Sequence, residues 1–146
     1  MGNLADALRS HGYKVTEPRQ QVFDVLGGTE KPLSPYEIQN LLQEEGGFLN
    51  HVTIYRILDL FSRLNLAHRV PSNGGFVKCN LSGQEGCHRF VVCRCCGAVR
   101  EFADKELCQK EKSFALNCGF HAESHLSETL GLCAKCYRRR DEKTTV

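Results

Sequence analysis

Two pairs of cysteines, each separated by two residues, constrain this chain more than any other feature of its sequence. They are Cys93 with Cys96 and Cys133 with Cys136. Each pair can present two thiolates to one metal ion, and four thiolates complete the tetrahedral shell of a structural zinc site. The gap between the pairs exceeds that of a compact zinc ribbon, so a helix and a strand are expected between them. Cys95 lies inside the first pair and could substitute for a neighbour.

Other roles for the cysteines account for less of the pattern. The chain has nine cysteines and lacks the charged and apolar start of a secretory signal. We therefore expect a cytoplasmic protein, where thiols stay reduced and stable disulfides are disfavoured. No apolar run approaches the length of a membrane span. Buried thiols without a metal would leave the matched spacing unexplained, and a thioredoxin-like redox role lacks its βαβ context.

The distribution of cysteines divides the sequence in two. The first half contains one cysteine, Cys79, whereas eight lie from Cys87 onward. A polar, glycine-rich stretch without periodicity separates the halves. We predict one domain over residues 1–82, a hinge over residues 83–87 and a second domain over residues 88–146.

The first half is predicted to be helical and to end in a β-hairpin. A short amphipathic segment over residues 4–11 precedes three helices, which are capped by Thr16, capped by Ser34 and begun near His51. An Asn-Gly turn within residues 72–75 connects two short strands. Three helices followed by a hairpin is the order of a winged-helix domain, whose third helix enters the DNA major groove.

Candidate DNA contacts cluster on and before the longest helix. They are Tyr55, Arg56, His51 and Thr53 on that helix, with Arg19 and Lys14 upstream. Arginine can pair bidentately with guanine, and lysine or hydroxyl groups can hold phosphates. The net charge of the whole chain, +2, gives little electrostatic support for DNA binding. Residues 1–78, with eight basic and eight acidic residues, have no net charge. A solvated helix face is the alternative, but the winged-helix order favours DNA.

A second, weaker set of metal donors lies on both sides of the predicted hinge. It consists of His68, Cys79, His88 and Glu101. Imidazole, thiolate and carboxylate ligands together suit zinc, and the thiolate argues against magnesium, calcium or manganese. Each residue also has an ordinary alternative, such as strand packing for His68 and simple burial for Cys79.

The second half is predicted to contain two strands, a helix and a further strand. They cover residues 90–93, residues 98–102, a helix capped by Asp104 that runs to about Cys118, and residues 120–126. Alternation along the last strand would place His121 and His125 on one face.

Taken together, these residues give a sequence that resembles the ferric uptake regulator family of metal-responsive repressors, and within it the zinc uptake regulator branch. The resemblance covers nearly the whole chain. It rests on residues 16–19, 52–58 and 68–70 and on the two cysteine pairs. It implies an α+β fold, with an N-terminal winged-helix domain and a C-terminal α/β dimerisation domain that holds the structural zinc.

The resemblance also implies roles for individual residues. The regulatory zinc ligands would be His68, Cys79, His88 and Glu101. Iron-responsive relatives tend to have a carboxylate near position 79 and a histidine-rich stretch near position 88, so Cys79 favours zinc. Cys87, which could compete with His88, and the pair His121 and His125 are candidates for additional metal ligands. Tyr36 joins Tyr55 and Arg56 as an expected DNA contact.

The predicted function is that of a zinc-responsive transcriptional repressor. A homodimer with one structural and one regulatory zinc per subunit would bind a pseudo-palindromic DNA operator, without an organic cofactor and without enzymatic activity. An iron or peroxide sensor is the related alternative. More distant alternatives are a zinc hydrolase, a thiol oxidoreductase and an interaction module that does not bind DNA. A hydrolase needs an open metal position, which four thiolates do not leave.

Overall fold

The chain has an α+β fold, as predicted. The computed structural model describes residues 3–81, 87–123 and 127–144. Contacts group the chain into two compact units, residues 1–82 and residues 83–146. No helix in the described part of the chain is long and apolar enough to cross a membrane.

The first unit contains helices followed by a hairpin. Helices α1 to α4 span Leu4–Ser10, Glu17–Gly27, Pro35–Glu44 and His51–Arg63, and strands β1 and β2 span Ala67–Arg69 and Phe76–Lys78. Thr16 and Ser34 cap α2 and α3, as predicted, by accepting bonds from first-turn amides. Asn50 caps α4 in the same way, because its Oδ1 accepts from the Thr53 amide at 2.8 Å. Such caps satisfy amides that the helix itself leaves unpaired.

The core of the first unit lies between the apolar sides of these helices and the hairpin. Helix α4 contributes Ile54, Leu58 and Phe61, all fully buried, and α1 contributes Leu4 and Leu8. Burial of one such side chain stabilises a fold by roughly 1.5–3 kcal/mol. This packing fixes the rotation of α4 and leaves its opposite side exposed.

A tight Asn-Gly turn is expected to have positive φ angles at both residues, and the hairpin turn differs from this in one detail. Gly74 has a positive φ of 72°, but Asn73 does not, and its side chain instead accepts a bond from the Gly75 amide at 2.8 Å. A Cβ at Gly75 would lie 2.8 Å from the Pro32 side chain, so glycine is required there by close approach.

Over residues 87–123 and 127–144, the second unit contains a three-stranded sheet and two helices. Strands β3, β4 and β5 span Cys87–Cys93, Val99–Asp104 and Ser127–Gly131, and helices α5 and α6 span Lys105–Asn117 and Ala134–Thr144. The strand order is β4-β3-β5, with β4 antiparallel and β5 parallel to β3. Asp104 caps α5, as predicted, by accepting from the Leu107 amide at 3.0 Å.

The prediction that a strand begins at Phe120 is wrong. Residues 120–123 form no strand, Phe120 is 71% exposed, and the strand occupies Ser127–Gly131. Residues 124–126, which include His125, lie outside the described residues. The alternation over residues 120–126 was misleading, because the pairing with Arg89–Cys93 of β3 determines where this strand forms. Local alternation cannot reveal such a tertiary choice.

Candidate metal centres and nucleic-acid interface

Parallel pairing between β3 and β5 brings the two cysteine pairs together. Both strands end at the same edge of the sheet, where Cys93 lies opposite Gly131. The Arg94 amide donates to the Gly131 carbonyl at 2.8 Å, which extends the contact beyond the end of β3. Cys133 follows two residues later, immediately before α6, and therefore lies beside the first cysteine pair.

The sulfur atoms of Cys93, Cys96, Cys133 and Cys136 form one cluster. All four lie within 4.8 Å of one another, and the sulfurs of Cys96 and Cys133 are 3.9 Å apart. Four thiolates bound to a tetrahedral zinc at about 2.3 Å would be separated by roughly 3.8 Å. Cys93 and Cys136 are buried. Donor type, number and spacing therefore fit a closed zinc site.

Hydrogen bonds favour the thiolate form of two cluster members. Bonding from the Cys96 backbone lowers the pKa of Cys93 to about 6. Bonding from the Cys136 backbone, in the first turn of α6, lowers the pKa of Cys133. The bond with the Cys133 thiol raises the pKa of Cys136, because closely spaced sulfurs share protons rather than all ionising. A metal ion replaces those protons when it binds the thiolates.

The second unit also brings two of the weaker donor set together. His88 Nδ1 lies 3.0 Å from Glu101 Oε2, and the side chains are 16% and 4% exposed. His88 is paired with Ala103 across the β3–β4 ladder, so Glu101 is its diagonal neighbour on the same face. An imidazole and a carboxylate thus lie side by side within this unit.

The first unit arranges the other two donors in a similar way. His68 lies in β1 opposite Val77 of β2, and Cys79 follows two residues after Val77 on the same face of the hairpin. The Cys79 amide donates to the Leu66 carbonyl at 2.9 Å, which continues the ladder to this position. Cys79 is 5% exposed and His68 is partly buried. An imidazole and a thiol therefore occupy diagonal positions on the hairpin.

The exposed side of α4 contains Tyr55 and Arg56, two of the residues predicted to contact DNA. Arg56 is exposed, and Tyr55 and Val52 are 48% and 58% exposed. Tyr36, at the start of α3, is 65% exposed. Val52 was not predicted as a contact, although an apolar residue outside the buried stripe of α4 is a detectable signal. Apolar side chains in the major groove can contact thymine methyl groups.

His51 and Thr53, which were also predicted to contact DNA, are less exposed than Arg56. The His51 ring lies close to those of Tyr36 and Tyr55, with ring centroids 3.6 Å and 5.2 Å away. Both His51 ring nitrogens are buried and have no hydrogen-bond partner among the described residues. Thr53 is half-buried, and its amide is bonded to the Asn50 cap.

The two upstream cations lie before and within α2. Arg19 Nη1 donates to the Lys14 carbonyl at 2.6 Å, and its guanidinium carbon lies 5.7 Å from the centre of the Tyr13 ring. These contacts order the segment that precedes α2. The Lys14 side chain is exposed.

Comparison with known proteins agrees with this arrangement. The sequence profile of the ferric uptake regulator family matches residues 10–129. The chain belongs to the ferric uptake regulator family. The ferric uptake regulation protein of Legionella pneumophila is 32% identical over 130 residues, which cover 88% of this chain and 95% of that protein. Family membership indicates a regulator rather than an enzyme.

Two solved structures of zinc uptake regulators resemble this member of the ferric uptake regulator family. The holo form of XcZur has a TM-score of 0.83 at 26% identity, covering 92% of this chain and 94% of that one. A zinc uptake regulator in complex with zinc and DNA has a TM-score of 0.84 at 25% identity, covering 91% and 89%. An iron-containing ferric uptake regulator of Francisella tularensis has a TM-score of 0.60 at 22% identity, covering 86% and 96%.

The remaining candidate ligands of this family member are not among the four clustered sulfurs, although the Cys95 side chain is hydrogen-bonded to the Cys136 thiol. Cys95 and His121 are exposed, and within the described part of the second unit the cysteine cluster is the one group of three or more donors. His125 lies outside the described residues. Cys87 is bonded through its sulfur to Cys108 and is not available to a metal in this state.

Proposed function

We propose that this chain is a zinc-responsive, DNA-binding transcriptional regulator that mainly represses genes of zinc uptake and homeostasis. The observation that favours zinc most is Cys79, a thiol diagonal to His68 on the hairpin. A thiolate and an imidazole are soft and borderline donors, which suit zinc better than ferrous iron or manganese. The similarity to two zinc uptake regulators supports the same choice.

The two donor pairs together would form the regulatory site. Each unit offers neighbouring ligands on one face of an antiparallel ladder, His68 with Cys79 and His88 with Glu101. Two nitrogens, one sulfur and one carboxylate oxygen complete a tetrahedral zinc shell. The cysteine cluster is proposed as the structural zinc site, which gives two zinc ions per subunit. Because the regulatory ligands come from both units, zinc binding can favour one arrangement of the units over others.

DNA recognition is proposed for the exposed side of α4. The aromatic rings of Tyr36 and Tyr55, the exposed Val52 and the guanidinium of Arg56 offer both apolar and bidentate contacts to base edges. Lys14 and Arg19, near the start of α2, are proposed to contact the phosphate backbone. A zinc uptake regulator with the same fold has been solved with zinc and DNA, which supports this orientation.

The active species is proposed to be a cytoplasmic homodimer on a pseudo-palindromic operator. Several large apolar side chains of the second unit are exposed in the single chain, among them Phe114 at 70%, Leu116 at 58% and Phe120 at 71%. A partner subunit could cover such side chains in a dimer. A two-fold dimer would present two copies of α4 to successive major grooves.

Iron sensing is the second candidate, because the curated relatives at about 30% identity are ferric uptake regulation proteins. Fluorescence anisotropy with an operator selected from a random DNA library would separate the two functions. We expect tight binding after zinc addition and weak binding after chelation, with little response to ferrous iron under anaerobic conditions. Binding that is stimulated by ferrous iron alone, or that ignores metal, would contradict the proposal.

A further inference from the structure

Cys87 and Cys108 form a disulfide that neither of the proposed zinc sites uses. Cys87 is the first residue of β3, and Cys108 lies near the start of α5. Their Cα atoms are 5.5 Å apart, and their sequence positions differ by 21. The Cα separation is ordinary for a disulfide. The backbone therefore places the two cysteines at bonding distance.

The strand geometry directs Cys87 away from the proposed zinc ligands. Successive side chains of a strand point to opposite faces, so Cys87 and His88 lie on different faces of β3. Arg89 lies on the same face as Cys87, and its guanidinium forms an ion pair with Glu111 of α5. Glu111 comes three residues after Cys108, on the same side of the helix. The disulfide and the ion pair thus both connect one face of β3, that of Cys87 and Arg89, to one side of α5, that of Cys108 and Glu111.

The two cysteines are also remote from the cysteine cluster. Cys93 is at the opposite end of β3, six residues from Cys87, which corresponds to about 20 Å along a strand. Thiol–disulfide exchange requires direct contact between sulfurs. Oxidation of the Cys87–Cys108 pair can therefore proceed without removing a ligand from the cluster.

We propose that Cys87 and Cys108 are a reversible redox site, oxidised to a disulfide by peroxide and reduced by a cellular dithiol. Disulfides in a reducing compartment are usually transient or redox-sensing, and the compartment is the one part of this proposal that rests on the proposed function. Cys108 is 5% exposed and Cys87 is more accessible, so peroxide reaches Cys87 first.

The reaction balances in two steps. The Cys87 thiol and hydrogen peroxide give a sulfenic acid and water, and the Cys108 thiol then displaces a second water to form the disulfide. A dithiol reductant returns both thiols and becomes a cyclic disulfide. In register, Cys87 lies opposite Asp104, which caps α5. Oxidation therefore fastens the start of α5 to the first residue of β3, next to His88.

The test uses the zinc-loaded full chain, first reduced with dithiothreitol and then treated with stoichiometric hydrogen peroxide. After acid quenching and unfolding, thiols are counted with a maleimide. We expect the thiol count to fall from nine to seven, which are the cysteines outside the pair. Peptide mapping should identify Cys87 linked to Cys108. Dithiothreitol should restore nine thiols to the folded protein. Zinc content should stay constant throughout.

Two kinds of variant separate this site from general thiol oxidation. Cys87→Ala and Cys108→Ala should abolish the intramolecular disulfide, whereas Cys118→Ala, at an exposed cysteine outside the pair, should form it as the native chain does. Oxidation should raise the melting temperature of the native chain and of Cys118→Ala but not that of Cys87→Ala.

Three results would overturn the proposal: loss of zinc before Cys87 is oxidised, a disulfide that dithiothreitol cannot reduce in the folded protein, and equal melting temperatures of the oxidised and reduced native chain. None of these measurements involves DNA or depends on which metal regulates the chain. A failure of the proposed regulatory function would therefore leave this test unaffected.

Discussion

Arg56 and Arg63 lie on the same helix and are both exposed, but their surroundings differ. Arg56 neighbours the exposed ring of Tyr55 in the N-terminal half of α4. Arg63 is the last residue of the helix, where a cation interacts favourably with the helix dipole. Arg63 can therefore serve as a control, within the same helix, for the proposed DNA contact of Arg56.

Replacement of Arg56 by Ala should weaken operator binding by roughly 5- to 150-fold, since a bidentate base contact contributes about 1–3 kcal/mol. We expect discrimination at one base pair to relax and the salt dependence to decrease, by up to about one unit in the slope of log affinity against log salt. Operator titrations at two salt concentrations measure both effects. Arg63→Ala is the control and should change binding little. Unchanged affinity and slope in Arg56→Ala would show that α4 does not use this side chain.

Cys79 tests the choice of regulatory metal. Replacement of Cys79 by Ser removes the thiolate. The zinc affinity of the regulatory site should fall by at least about tenfold, because a hydroxyl is a harder and poorer zinc donor. The structural zinc should remain, since its four sulfurs lie in the other unit. Zinc titration of operator binding compares this variant with Cys118→Ser. A Cys79→Ser chain with a normal zinc midpoint would exclude Cys79 from sensing.

At the scale of elements, the sequence predicted those features that depend on short-range chemistry. The caps Thr16, Ser34 and Asp104 were predicted because a small polar side chain before an apolar periodic run is a local signal. The strand after α5 was misplaced, because its position depends on pairing with β3. Helix α6 was not predicted, because residues such as Arg138 and Arg139 leave it without an apolar stripe.

In the candidate sites, too, some features follow from local sequence and others depend on tertiary structure. The cysteine cluster could be predicted from spacing alone, because two matched C-x-x-C pairs are a specific signature of a four-thiolate metal site. The diagonal placement of His88 and Glu101 depends on the register of β3 with β4, which no local pattern in the sequence specifies. The bond between Cys87 and Cys108 depends on how α5 packs against β3 and was likewise invisible.

The sheet edge where β3 and β5 end should depend on the structural zinc. In Cys133→Ser the cluster loses one of four thiolates, and because site assembly is coupled to folding the second unit should loosen. Dimer formation should decrease with it. Size-exclusion chromatography and metal analysis measure both, with Cys118→Ser as the control at an exposed thiol of the same unit outside the cluster. A Cys133→Ser chain that keeps its tight zinc and remains an unaltered dimer would refute the four-cysteine site.

At the scale of the whole molecule, the proposed regulation rests on linkage between zinc and DNA. If zinc binds more tightly to the arrangement of units that fits the operator, the operator must raise zinc affinity by the same factor. Coupling factors of roughly 5–150-fold are common for such pairs of ligands. Structural zinc should not take part, because the proposed cluster draws all its ligands from the second unit.

The most direct measurement is metal content and operator affinity followed together during stepwise chelation of the zinc-loaded protein. The two-site mechanism predicts two zinc ions per chain, one lost under mild chelation together with operator binding and one retained while the chain stays folded. Zinc returned to that protein should restore binding. Operator affinity that persists after the labile zinc has left, or a single class of zinc whose loss unfolds the chain and abolishes binding in one step, would contradict this mechanism.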